Sequence, residues 1–248
     1  MKESNEAMSP LYLVPLHVHL CEADGQTIFL DLRRDKYLAI GPIERQALSG
    51  HVSGWPQSDE VSTSKTASLK SSGSVIRSMV SLGLLTNDAS YGKAAAPLSS
   101  VETVNAVLVD DDFDNQPATN FNYLVAFLFA CAKAKLGLHL FSLERVVYRV
   151  RKRKERHANR QKAASLQRLR ELVANFERLR PFVFTARDAC LFDSLALIEF
   201  LALFSCYPTW VFAVHAKPFS AHSWVQQHGF VFNGTVEFIR RYTPILAI

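Results

Sequence analysis

None of the four cysteines, Cys21, Cys131, Cys190 and Cys206, stands in a CxxC pair, so a disulfide framework is not expected. The opening Met1-Lys-Glu-Ser-Asn-Glu-Ala is too polar to begin a secretory signal, and a reducing cytoplasm is the expected compartment. No apolar run is long enough to span a bilayer. The longest, Phe121 to Ala132, is followed by Lys133 and Lys135 and reads as a buried helix of a soluble protein, with no membrane partner. There is no GxxxxGK[ST] and no GxGxxG, so no familiar phosphate loop supports a nucleotide cofactor. His17-Val-His19-Leu-Cys21 offers three side chains on one strand face, but no further cluster completes a ligand set and no metal is expected. Asp110-Asp-Asp-Phe-Asp lacks the glycine and closing glutamate of a calcium loop. Internal repeats are absent as well.

What remains is a globular composition: 248 residues, 48% hydrophobic, enough for a real core in one large or two modest domains. The net charge of +5 is concentrated between Arg145 and Arg180. Such a block invites a nucleic-acid reading. Yet Leu143, Val146, Val147 and Val150, then Leu166, Leu169, Leu172, Val173 and Phe176, recur at helical spacing, so two amphipathic helices with a solvated basic face are expected instead.

Three short strands open the chain, at Tyr12 to Cys21, Thr27 to Leu32 and Lys36 to Ile40, separated by turns at Asp24-Gly25 and Arg33-Arg-Asp35. Helices follow from Pro42 and from Ser74, the second ending at Gly83. The spacing of these elements predicts an N-terminal domain over 8–88, a linker over 89–118 and a second domain over 119–248. The second places helices first and antiparallel strands after, which makes the fold class α+β.

Chemistry concentrates near the C-terminus. Cys190 opens the strongly apolar run Cys190-Leu-Phe-Asp-Ser-Leu-Ala-Leu-Ile-Glu-Phe, which leaves almost no solvated face and so predicts a central, buried helix. Thr185 or Asp188 can cap it. A thiol in the first turn sits at the positive end of the helix dipole, which favours thiolate, the nucleophilic form. Downstream, Ala221-His222-Ser-Trp-Val-Gln reads as a strand that supplies a base. Each residue alone has an ordinary structural explanation; the order of cysteine helix then histidine strand is what points to a cysteine hydrolase.

These residues carry a resemblance. Pro218-Phe-Ser-Ala-His222-Ser-Trp-Val-Gln-Gln-His-Gly229-Phe-Val-Phe-Asn233, with Cys190-Leu-Phe-Asp-Ser upstream, resembles the B proteins of bacterial lasso-peptide biosynthesis. The resemblance implies a transglutaminase/papain-like cysteine peptidase domain that removes the leader from a ribosomally made precursor peptide. It further implies a small winged-helix-like N-terminal domain that recognises the leader. Cys190 is the implied nucleophile and His222 the implied base. An ATP-dependent lasso cyclase is the implied partner, and ATP belongs to that partner. The family's aspartate after the asparagine is Gly234 in this chain. A two-residue loop at His228-Gly229 would put Asn233 on the face of His222 as its orienter, and a three-residue loop would put Gly234 there instead. Leader capture by strand addition would use Lys36, Tyr37, Leu38 and Ile40, with Ile76 and Met79 meeting apolar leader side chains. Two rivals stand beside this reading: a transglutaminase or amidase with the same dyad, and a noncatalytic winged-helix nucleic-acid-binding protein.

Overall fold

A computed structural model describes residues 12–56, 68–98, 100–109, 120–158, 164–184 and 190–248. The chain divides into two compact units, Met1–Ser99 and Ser100–Ile248. The proposed caps Thr185 and Asp188, and the Asp110 to Asp114 run, lie outside the described residues.

The first unit is a meander with helices behind it. Strands β2 (Val18–Ala23), β3 (Gln26–Asp31) and β4 (Lys36–Ile40) pair antiparallel in that order. The first hairpin closes through Asp24 and Gly25, both at positive φ, as a two-residue turn matching strand twist requires. The second is held by the Asp31 carboxylate, which accepts from the backbone N–H groups of Arg33 and Arg34. Helices α1 (Pro42–Leu48) and α2 (Ser68–Ser81) follow. Past the end of α2 the chain turns at Gly83, φ 71°, with Leu84 donating back to the Met79 carbonyl. Residues expected to be linker belong to this unit: β5 (Gly92–Lys93) pairs with β1 (Val14–Pro15). Gly92 is required there, because a Cβ would come within 2.5 Å of the Leu13 side chain. The core gathers Val18, Leu20, Phe29, Ile40, Leu48, Trp55, Ile76 and Met79.

In the second unit, helices α3 (Phe121–Leu140), α4 (Leu143–Ala158), α5 (Leu166–Leu179) and α6 (Cys190–Leu203) precede most of a five-stranded sheet. Its order is β10 (Thr243–Ala247), β7 (Thr209–His215), β8 (Ser220–Gln227), β9 (Phe230–Val231), β6 (Ala106–Val107). All pairs are antiparallel except β6 with β9. Strand β6 also comes from the expected linker. A chain of aromatic contacts ties α3, α5 and α6 together: Phe127 to Phe176 at 5.2 Å, and Phe176 to Phe200 at 5.6 Å.

Two expectations for the helices need amending. Helix α3 continues through Lys133 and Lys135 to 20 residues, long and apolar enough to cross a membrane by length and composition, and it buries only one stripe. Phe127, Ala130, Cys131 and Ala134 face the protein, while Phe121, Val125, Phe129, Leu136 and Leu140 are exposed. The basic helix α4 does bury Leu143, Val146, Val147 and Val150 and exposes Arg145, Arg149, Arg151 and Lys152. Two of its cations turn inward instead. Arg153 joins Lys133 on the buried carboxylate of Glu199, and Lys154 donates to the carbonyls of Pro208 and Ile248, fastening α4 to α6 and to the end of β10.

Candidate active site

Helix α6 is buried along Asp193 to Leu201, with Cys190 half-buried at its start. Its buried polar side chains each have a partner: Glu199 faces Lys133 and Arg153, and Asp193 and Ser194 lie in the first turns, where the helix meets the sheet and the segment that follows it. Ser194, one turn beyond Cys190, donates to the Cys190 carbonyl at 2.7 Å and shares a hydrogen bond with Ser223 on β8 at 2.9 Å. Trp210 of β7 donates its indole N–H to the same hydroxyl. A fully buried serine with four partners, the Leu191 carbonyl among them, fixes the first turn of α6 against the strand that carries His222.

The other cysteines are unlike Cys190. Burial pushes the thiols of Cys21 and Cys131 up to about 12 and raises that of Cys206. All three are buried and Cys190 is not. A nucleophile must be reachable and ionisable, so only one thiol in the chain meets the first condition.

His222 lies next to Ser223, but strand alternation turns it to the other side of β8. Its ring stacks on Trp224 at 6.1 Å and meets Phe238 at 5.0 Å and Tyr242 at 5.4 Å. Nε2 is buried with no hydrogen-bond partner among the described residues. Burial holds the imidazole below the ordinary histidine value of 6.5, so it is neutral at physiological pH. Cys190 and His222 share no direct hydrogen bond; the Ser194–Ser223 bond links the elements that bear them.

Asn233 is not where an orienter of His222 would be. The hairpin does have the expected two-residue loop, with His228 and Gly229 at positive φ and Gln227 opposite Phe230. The ladder then stops at Val231, and the chain leaves the strand to enter helix α7 (Val236–Ile239), capped by Thr235. Freed from alternation, Asn233 turns toward α6. Its Oδ1 accepts from the Val225 backbone N–H, and its Nδ2 donates to the Asp193 carboxylate, both at 2.8 Å. Asp193, also buried, lies 3.7 Å from Arg180. Burial raises its carboxyl above the ordinary value, and Asn233 and Arg180 oppose that rise. This brace was missed from sequence. The signal was an adjacent aspartate and serine one turn into a largely apolar helix. A Cβ at Gly234, by contrast, would point toward Val231 and Ile239, members of the cluster that contains Trp224.

In the first unit, β4 is an edge of its sheet with Lys36 and Leu38 exposed and Tyr37 half-buried. Ile40, Ile76 and Met79 were expected at the leader-binding surface, yet they are buried members of the core. Their spacing on strand and helix serves the interior. His17 meets Asp31 at 3.6 Å and His19 lies 3.3 Å from Lys93, and no group of three or more metal-ligating side chains occurs among the described residues.

Residues 129–247 match the transglutaminase-like superfamily. The C-terminal half of the chain thus carries a transglutaminase-like domain, of a superfamily whose members are typically cysteine-dependent enzymes acting as peptidases or acyltransferases. No curated protein and no solved structure matches the chain.

Proposed function

We propose that the chain is a cytoplasmic cysteine endopeptidase that removes the leader from a ribosomally synthesised lasso-peptide precursor. The observation that carries this reading is the contrast among the thiols. Cys190 alone is accessible, in the first turn of a rigid helix, inside the region matched to the transglutaminase-like superfamily. In this mechanism the Cys190 thiolate attacks the carbonyl of the scissile bond, and first-turn N–H groups of α6, which have no intrahelical acceptor, stabilise the oxyanion. His222, neutral in the free protein, takes the proton from the Cys190 thiol and returns it to the leaving amine; water then attacks the thioester, giving its proton to His222, which passes it back to the departing thiolate. Thiol and imidazole share no hydrogen bond in the free protein and α6 is held against β8 through Ser194 and Ser223, so the proton passes between them through a water or a group of the bound substrate. The N-terminal unit holds the leader along the β4 edge, and an ATP-dependent cyclase closes the macrolactam after release.

Incubation with a precursor peptide followed by mass spectrometry tests the reading. Free leader and free core support it. Incorporation of an added amine without hydrolysis supports the transferase alternative. A DNA affinity that falls steeply with salt and survives loss of Cys190 supports a nucleic-acid-binding protein.

Two further results are expected. Ala39→Pro should weaken binding of a fluorescently labelled leader about tenfold, with the circular dichroism spectrum unchanged, by removing an outward-facing N–H of the edge strand; the N–H of Leu38 is already paired with Phe29 in this register. Undiminished affinity removes β4 from the leader site. The pH profile should also be distinctive. Since burial lowers the His222 pKa, the neutral base persists as pH falls below 6.5, so the acid limb of kcat/KM assigned to His222 should lie below that value and disappear in His222→Ala. An acid limb above 6.5 contradicts this.

A further inference from the structure

A cavity of about 370 Å³ opens beside the first turn of α6, lined by Leu128, Cys131, Ala132 and Lys135 of α3 and by Val183, Phe184 and Phe192. Its wall is built for apolar contact: the rings of Phe184 and Phe192 meet edge to face, 4.8 Å apart at 78°. The only charge on its lining is Lys135, an exposed side chain with no ion-pair partner among the described residues. The cavity is within the usual range for small-ligand pockets and exceeds what one water or ion needs.

Its position relative to Cys190 sets what can occupy it. Phe192 follows Cys190 by two residues, and at about 100° per residue its side chain leaves the helix on nearly the opposite side from the thiol. An α-helix with its side chains is about 10 Å across, and an extended chain advances about 3.3 Å per residue. A peptide lying across the end of α6 with its reacting carbonyl at Sγ therefore presents, two to three residues away, a side chain at the cavity mouth. We propose that this cavity is a specificity subsite that takes a bulky apolar side chain of the substrate, two to three residues from the bond offered to Cys190, with a neighbouring substrate carboxylate meeting Lys135. The inference deepens the proposed function and depends on Cys190 as the nucleophile, but not on any particular precursor.

The test uses the intact protein and chemical probes. Peptides of the form chloroacetyl-(Gly)n-Phe, with n from zero to two, are compared with counterparts ending in Gly; the Cys190 thiolate displaces chloride to form a thioether, followed by peptide mapping so that Cys131 is scored separately. For at least one spacing the Phe probe should label Cys190 about tenfold faster than its Gly counterpart, as burial of a phenyl ring in an apolar pocket requires. Ala132→Trp, at an exposed helical position, fills the cavity and should bring that ratio to about one. Lys135→Ala should abolish any preference for the free acid of the probe over its amide. If no spacing distinguishes Phe from Gly, or if the preference persists in Ala132→Trp, the subsite is overturned, while equal labelling of Cys190 by both probes leaves the nucleophile assignment standing. Failure of every probe to label Cys190 ahead of the buried cysteines removes the nucleophile itself, and the subsite with it.

Discussion

Cys190→Ala should abolish leader removal, by about a thousandfold or more, while leaving the fold and leader affinity nearly unchanged. The loss is large because thiolate attack has no substitute within α6: Ser194, the nearest hydroxyl on the same helix face, is fully buried and engaged with Ser223 and Trp210. The stability cost is small because the sulfur is half-exposed and supports no other side chain by hydrogen bond. Cys21→Ala and Cys206→Ala should show the reverse, a loss of packing with turnover retained, since both thiols are buried. Iodoacetamide at neutral pH gives an independent measurement. Cys190 should be alkylated first, because the burial that raises the other thiols also blocks access to them. Faster labelling of Cys21 or Cys206 would show that accessibility in the folded protein does not single out Cys190.

The elements set by local chemistry could be read directly from the chain. Asp24-Gly25 and His228-Gly229 each form the two-residue turn that their residue types favour, and the apolar run after Cys190 forms a buried helix. What escaped was set by partners distant in sequence. Strand β6 is two residues long, and only its parallel pairing with β9 makes it a strand. Ile76 and Met79 carry a pattern that suits either a binding face or a core, and the meander decides for the core. At the site, the cysteine helix and histidine strand were legible as elements. The side of β8 on which each side chain emerges was legible for His222 through alternation, but the point at which pairing ends was not. That ending, after Val231, sends Asn233 to Asp193.

Asn233 and Gly234 consequently exchange the roles their order first suggested, and two substitutions should separate them. Asn233→Ala leaves a buried carboxylate without its donor and the Val225 N–H without its acceptor, a loss of about 3 kcal/mol. The pH dependence of that loss has a definite sign. Burial already raises Asp193 above its ordinary 3.8, so the folded state holds that proton more tightly than the unfolded one, and this group favours folding at low pH. Asn233 supports the ionised form; without it the carboxyl rises further. The penalty should therefore be small below the titration of Asp193 and grow to its full value as pH rises through it, as denaturant unfolding at several pH values will measure. A penalty independent of pH means that Asn233 acts through Val225 alone. Gly234→Asp addresses the imidazole. Position 234 has room, its nearest atoms being methyls of Ile239 and Val231 at 3.7 and 3.8 Å, and it points to the cluster that includes Trp224, on which His222 stacks. A carboxylate there has few polar partners other than His222, whose Nε2 has none among the described residues. It should orient the ring and favour its protonated form, raising turnover and moving the acid limb of kcat/KM upward. If the limb stays in place, the carboxylate does not reach the imidazole, and His222 works without a side-chain orienter.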